Sequence, residues 1–357
     1  MGSADAIAFL SPVTASVSVR PLADADAERW ERFVASCPEA TFFHRLGWKR
    51  LLEREFRHRA HYLLAERGEQ IVGVLPLAEV RSRFFGHALV SLPFCVYAGP
   101  AAVDADADRA LIDAAERLAR SLGVDYLELR NRRPRSPDWA RQELYVTFRK
   151  PILPDEEANN KAIPRKQRAM VRKGVGRELR SEVDASVDRF FALYADNVHR
   201  HGTPPFSKRY FALLRELFDD SCEVLTVVDT QGRPVSGVLS FYFRDEVLPY
   251  YAGDTIDARE LAANDFKYWE LMRRACARGV RVFDFGRSKR GTGSFDFKKN
   301  WGFTPEPLAY EFRLYTRPDI PEHNPLNPRY RHFIALWRRL PRRVANALGP
   351  AIVRNLG

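Results

Sequence analysis

The feature that most constrains this chain is an internal repeat. His61–Val80 (HYLLAERGEQIVGVLPLAEV) and Leu225–Phe243 (LTVVDTQGRPVSGVLSFYF) share one form: a β-rich run, a glycine-containing turn and a second, alternating run. Ile71-Val72-Gly73-Val74-Leu75 matches Val235-Ser236-Gly237-Val238-Leu239, and each copy predicts a hairpin. Tyr97-Ala98-Gly99 then recurs as Tyr251-Ala252-Gly253. An amphipathic helix closed by a glycine follows in both copies, Arg109–Leu122 before Gly123 and Asp265–Arg278 before Gly279. A strand comes next, Val124–Arg130 in one copy and Val280–Arg287 in the other. The closing glycines are 156 residues apart and the Tyr-Ala-Gly motifs 154. A sheet-and-helix unit repeated at that spacing predicts two equivalent α/β halves, 1–150 and 151–317, with 318–357 as linker and tail. At 357 residues and 45% hydrophobic content, the chain has the material for two cores.

Charge sits in two places. The segment 161–180 between the halves carries eight Lys or Arg against Glu178, and 323–357 carries seven arginines and no acid. Each contributes +7 to a total of +11, so the rest of the chain is slightly acidic. Such local basicity calls for an anionic partner: phosphate, nucleic acid or a lipid head group. The series Pro318, Pro321, Pro325 and Pro328 predicts a linker into the tail, where Phe333, Ile334, Trp337, Leu340, Val344 and Leu348 keep roughly helical spacing broken at Pro341. Two readings of the tail stand: its apolar residues meet a membrane surface, or Trp337 and its neighbours pack back on the second half while the arginines stay solvated.

Cys37, Cys95, Cys222 and Cys276 are scattered without a CxxC pair or clustered histidines, which indicates neither a disulfide framework nor a zinc site and fits a reducing cytoplasm. The N-terminus has no Lys or Arg before Arg20 and has Ala6 where myristoylation needs Ser or Thr, so neither a secretory signal nor that lipid anchor is expected. Phe84–Val103 lacks charge but is interrupted by Gly86, His87, Pro93, Gly99 and Pro100, and predicts strand and loop instead of a transmembrane helix.

Hairpin, Tyr-Ala-Gly, helix and strand is the order of the central part of a GNAT-type acyltransferase fold, present here twice. With Asp284-Phe285-Gly286-Arg287-Ser288, Phe297-Lys298 and Trp301-Gly302, the chain resembles the Fem family of non-ribosomal peptidyl transferases, over nearly its whole length from Phe42-Phe43-His44 and Trp48-Lys49 to Phe312. Asn327-Pro328-Arg329-Tyr330 and Trp337-Arg338-Arg339-Leu340-Pro341 resemble the members encoded with exosortase (PEP-CTERM) and exopolysaccharide loci. The resemblance implies an α/β fold of two tandem GNAT-like domains, each a mixed twisted sheet flanked by helices. It implies acyl transfer to an amine or hydroxyl of a cell-envelope or exopolysaccharide precursor, with no metal and no resident cofactor. The donor is acyl-CoA or aminoacyl-tRNA. Against tRNA, the long paired helices of many tRNA-using members are not evident; against CoA, the usual Arg/Gln-x-x-Gly-x-Gly/Ala loop is absent, with Gly291-Thr292-Gly293 a weak substitute. Contact with the inner membrane and an anionic saccharide precursor are the expected partners, and DNA is not.

No Ser-His-Asp or Cys-His pattern is visible, so direct transfer is expected over a covalent acyl-enzyme. The resemblance puts Lys298, after Phe297, near the transferring carbonyl as the charge-stabilising group; by itself it reads as one of two neighbouring loop lysines. Asp284, on a strand between Phe283 and Phe285, orients Arg287, accepts a substrate hydrogen bond, or caps the next loop, three alternatives that the sequence leaves open. Arg287 and Ser288 follow that strand, where α/β sheets form ligand sites, and Arg287 offers a phosphate fork or a structural partner for Asp284. Lys49 matches a family position associated with acceptor phosphates. Lys208 and Arg209 open a helix that binds an anion or is capped by Ser207. Tyr251 and Trp301 are cleft-wall or core aromatics, and His199 and His201 are secondary candidates for a base. The competing classes are a non-catalytic membrane-surface scaffold of a polysaccharide locus and a nucleic-acid-binding protein using 161–180, the latter without a helix-turn-helix, RRM or zinc signature.

Overall fold

The computed structural model describes residues 16–82, 86–321 and 331–355. The N-terminal targeting readings, Phe84, Pro325 and Asn327-Pro328-Arg329-Tyr330 lie outside the described residues. The first half runs β1 (Val17–Pro21), α1 (Ala27–Ser36), α2 (Gly47–Leu51), β2 (Arg59–Arg67), β3 (Gln70–Ser82), β4 (Gly86–Val90), β5 (Ala101–Ala102), α3 (Ala105–Leu122), β6 (Tyr126–Asn131) and β7 (Ala140–Gln142). Then follow β8 (Tyr145–Pro151), α4 (Glu156–Ala162), α5 (Arg165–Gly176), β9 (Arg180–Val183), α6 (Asp188–His201), α7 (Lys208–Phe218), β10 (Cys222–Val228), β11 (Pro234–Phe243) and β12 (Glu246–Asp254). The rest comprises α8 (Ala258–Leu261), α9 (Ala263–Ala277), β13 (Val282–Asp284), β14 (Ser288–Lys289), α10 (Gly293–Asn300), β15 (Pro305–Pro307), β16 (Ala309–Leu314), α11 (Arg331–Arg339) and α12 (Arg342–Val353).

The repeat becomes two sheets with one topology. In the first, β1, β2, β3 and β4 are antiparallel neighbours and β6 joins β4 in parallel. In the second, β9, β10, β11 and β12 repeat that order and β13 joins β12 in parallel. Each parallel step is made by the repeated helix, α3 or α9, because a parallel crossover needs a helix-length connection. Both helices end at the glycine read from the sequence, with Gly123 at φ 63° and Gly279 at φ 73°.

The sheets exchange their next strands. β8, which precedes the second unit in sequence, lies antiparallel to β13, while β16, from the far end of the second unit, lies antiparallel to β6. The position 150 drawn from the sequence therefore falls inside a strand of the second sheet. Glu311 of β16, fully buried, takes hydrogen bonds from Asn131 Nδ2 at 2.6 Å and from the Arg135 and Ser136 amides at 3.1 Å, tying this strand to a first-half loop.

Apolar side chains define the layers. α3 covers the outer face of the first sheet through Leu111, Ala115 and Ala119 against Leu75, Leu77 and Leu127. α9 covers the outer face of the second through Leu271, Met272 and Ala275 against Val238, Val247 and Phe283. One continuous core fills the space between, where Trp30, Trp48 and Tyr97 of the first half meet Phe190, Tyr210 and Phe241 of the second. This shared core sets the halves against one another.

Two close contacts in that layer carry consequences. Gly253, the repeated glycine of the second copy, lets α6 ride directly on β12: a Cβ there would lie 2.4 Å from the Tyr194 nitrogen. His44 accepts the Thr41 amide on Nδ1 at 3.0 Å and bonds the Gly99 carbonyl through Nε2 at 2.8 Å, an arrangement that holds the neutral ring, and burial pushes its pKa down to about 4.

Gly253→Ala is expected to lower stability by about 1–3 kcal/mol, since backbone and not a flexible side chain must give way; a shift in the denaturant midpoint checks this. The unfolded chain protonates His44 near its ordinary 6.5 and the folded chain only near 4. Stability from this group is present above about 6.5 and lost as pH falls towards 4, by about 3 kcal/mol when complete. Unfolding midpoints across that window measure it, with His44→Gln flattening the slope.

Candidate active site

The site grows from the place where the second sheet opens. β12 and β13 pair only over Glu246–Val282 and Val247–Phe283. β12 then runs on to Asp254 beside β11, and β13 ends at Asp284. The chain turns at Gly286, whose φ of 68° suits glycine, and the Gly286 amide donates to Asp284 Oδ1 at 2.8 Å.

Asp284 is fully buried and gathers partners from three segments. Arg149 of β8 donates to Oδ2 at 2.6 Å and also pairs with Glu246. Thr147, two residues earlier on the same face of β8, donates to Oδ1 at 3.3 Å. The Tyr97 hydroxyl of the first half also donates to Oδ2. Burial pushes the carboxyl up, to about 7, against the pull of the Gly286 amide and of Lys298.

Lys298 approaches from α10, which Thr292 caps by accepting the Phe295 amide. It lies on a helix and not on a solvated loop. Its Nζ donates to the carbonyls of Gly286 at 3.0 Å and Arg287 at 3.1 Å, between the rings of Phe148 and Phe285. Burial pushes this amine down, to about 7, while the Asp284 charge pulls it up. Arg287 stacks on Tyr145, 4.5 Å from the ring centroid, and donates to the Tyr310 hydroxyl at 3.0 Å; it does not bond Asp284. Ser288 is buried and pairs in β14 with Val146.

The other sequence candidates have partners elsewhere. Lys49 pairs with Glu53 at 2.8 Å, one helical turn on. Lys208 pairs with Asp188, and Arg209 lies 3.8 Å from Glu55, while Ser207 caps α7 through the Tyr210 amide. Tyr251 is partly buried and packs against the central core, its hydroxyl 2.8 Å from that of Tyr210, and Trp301 is fully buried with Nε1 on Asp265 at 2.9 Å. His199 bonds the Leu340 carbonyl of the tail. Sequence reasoning did not include Tyr97, Thr147, Arg149 and Glu246; the repeated Tyr-Ala-Gly motif and the alternation of Thr147 and Arg149 were the available signals.

The equivalent opening in the first half is closed by its own residues. β4 pairs with β6 over Ala88–Val90, the Ser91 amide bonds the Glu128 carbonyl, and the chain returns so that the Ala98 and Gly99 amides bond the Arg130 carbonyl. Buried Arg130 fills the step, bonding Glu128 at 2.7 Å and the carbonyls of Leu92 and Cys95. Among the described residues, no group of three His, Cys, Asp or Glu could hold a metal.

Residues 159–299 match the family model described as an acetyltransferase (GNAT) domain. That segment holds β12, β13 and α10, so the second half is a GNAT-type domain and the chain an enzyme of the acyltransferase class. Solved structures extend the likeness of fold over both halves. FemX superposes at a TM-score of 0.66 with 14% identity, covering 84% of this chain and 98% of that one. A tandem GNAT protein from the clavulanic acid biosynthesis pathway gives 0.52 with 14% identity, covering 85% and 100%. L-PGS from Bacillus licheniformis gives 0.51 with 10% identity, covering 82% and 95%. No curated protein matches the chain. The fold is thus a tandem GNAT-like pair.

Tyr97→Phe removes a donor from a buried carboxyl and is expected to destabilise the protein by about 1–3 kcal/mol. Denaturant unfolding reads this, and an unchanged midpoint means that the hydroxyl does not support Asp284.

Proposed function

We propose that the chain transfers an acyl group directly from a thioester or ester donor to an amine or hydroxyl of an anionic cell-envelope precursor, with the second-half opening as the reaction site. The observation that carries this reading is Lys298. Its two bonds to Gly286 and Arg287 occupy two N–H groups, and a third exists only in the ammonium form. That donor is suited to the oxyanion that forms when the acceptor attacks the donor carbonyl. The new C–N or C–O bond forms as the C–S bond of a thioester, or the C–O bond of an ester, breaks. The proton lost by the acceptor ends on the leaving thiolate or alkoxide. Asp284 positions Lys298 electrostatically and favours its charged form.

Two features support a phosphate-bearing donor with amide groups. The part of β12 beyond Val247 lies away from β13, and an extended chain with its own amides can dock there as a strand does. On the outer side of this sheet, α5 packs on α9 through Gly174 against Phe266 and Gln167 on Asp265 at 2.9 Å. The α5 residues Arg165, Lys166, Arg172 and Lys173 are exposed and form no ion pair among the described residues. Acyl-CoA, with amides in its pantetheine arm and phosphates on its nucleotide, fits both features, whereas aminoacyl-tRNA fits the phosphate feature alone. The resemblance to members of exosortase and exopolysaccharide loci makes a saccharide-linked envelope precursor the acceptor class.

Lys298→Met is expected to lower kcat/KM about a hundredfold with either donor, or about 3 kcal/mol, while leaving the unfolding midpoint near wild type. Unaltered kinetics would retire the reading. Because the ammonium form carries the extra donor, activity should fall as pH rises through about 7. Asp284→Asn, which removes the charge that raises Lys298, should move that limb to lower pH.

A further inference from the structure

The tail helices α11 and α12 both pack on α6 and carry two sets of apolar residues, only one of which is buried against other described residues. Inward, Trp337, Ala345, Gly349 and Val353 are buried. Gly349 rides on Pro205, Ile334 lies against Gly202, and Arg342 pairs with Asp196 of α6. The end of α12 lies beside His58 of the first half. The tail is therefore seated on α6, which lies directly on β12.

Outward, a second row stands in solvent. Leu336 is 64% exposed, Leu348 49%, Val344 40% and Phe333 39%. On α12, Val344, Ala347, Leu348 and Ala351 are all exposed, at the spacing of a helical stripe. Arg339 and Arg343 are exposed beside this stripe, with no ion pair among the described residues. No helix of the described residues is long and apolar enough to cross a membrane.

We infer that this outer face docks the protein on an anionic lipid surface, with Phe333, Leu336, Val344 and Leu348 entering the head-group layer and Arg339 and Arg343 meeting lipid phosphates. The charge selects this occupant. A second copy of the chain would set arginine against arginine across the contact, whereas an anionic leaflet pairs with each of them. Docking there would hold the face of α6, and so β12 one layer below it, close to lipid-linked material. This inference does not depend on acyl transfer, because its readout is binding alone.

The test is flotation of the full chain with vesicles of phosphatidylcholine, with and without phosphatidylglycerol. The protein should float with the phosphatidylglycerol vesicles at low salt, far less with phosphatidylcholine alone, and leave them as salt rises. Leu336→Ser with Leu348→Ser leaves the inner row untouched and should weaken partition at least about tenfold. Arg339→Gln with Arg343→Gln should weaken binding to the anionic vesicles about thirtyfold. Circular dichroism should show both variants folded. The proposal falls if the full chain stays with the unbound fraction, if both variants float as the parent does, or if neutral and anionic vesicles bind it equally. It also falls if the chain is a dimer that Leu336→Ser with Leu348→Ser splits, which assigns the face to a second copy.

Discussion

A carboxylate in a protein interior has to be surrounded by donors or it takes up a proton, and Asp284 is surrounded by groups that no single segment could supply. Arg149 and Thr147 come from β8, the Gly286 amide from the turn after β13, and the Tyr97 hydroxyl from the other half. The cluster exists only if β8 crosses into the second sheet and the halves are pressed together. The strand exchange, the shared central core and the charge of the site therefore depend on one another. Arg149 also binds Glu246 at the start of β12, which fixes the point from which β12 and β13 diverge.

Duplication gave both halves the same strand order but not the same chemistry. In the first half the step beside the parallel pair is filled by Arg130 and by the chain returning through Ala98 and Gly99. In the second, the matching step has Asp284 below it and Lys298 across it, an acid pushed up and an amine pushed down by the same burial. One copy has become support, lending Tyr97 to the other. The repeated glycines fit this divergence. Gly99 makes room for the Asn131 side chain and Gly253 for the backbone of α6, so the same small residue serves different neighbours.

The architecture was largely legible because it is written in local terms. Alternation marks the hairpins, helical spacing marks α3 and α9, and Gly123 and Gly279 mark where they stop. Repetition at a fixed offset then implies two like sheets. The site was legible in part. Asp284, Arg287, Ser288 and Lys298 stand close together in sequence, and a resemblance of motifs marks them. In the tail Trp337 is buried, as packing back on the second half requires, while Leu336 and Leu348 are exposed.

What the sequence determined by itself was therefore the pair of α/β units, their order and the basic character of 161–180 and of the tail, since these follow from periodicity, turn residues and charge along the chain. The tertiary structure alone decided that β8 and β16 change sheets, that Tyr97 reaches Asp284, and that Trp301 is core while Tyr251 is only partly buried. It also decided that Lys298 is buried against two carbonyls. The physical reason is that pairing between distant strands and the desolvation of a charge depend on what lies alongside in space, and nothing within a few residues of Asp284 or Lys298 records the Arg149 and Tyr97 that make their burial tolerable.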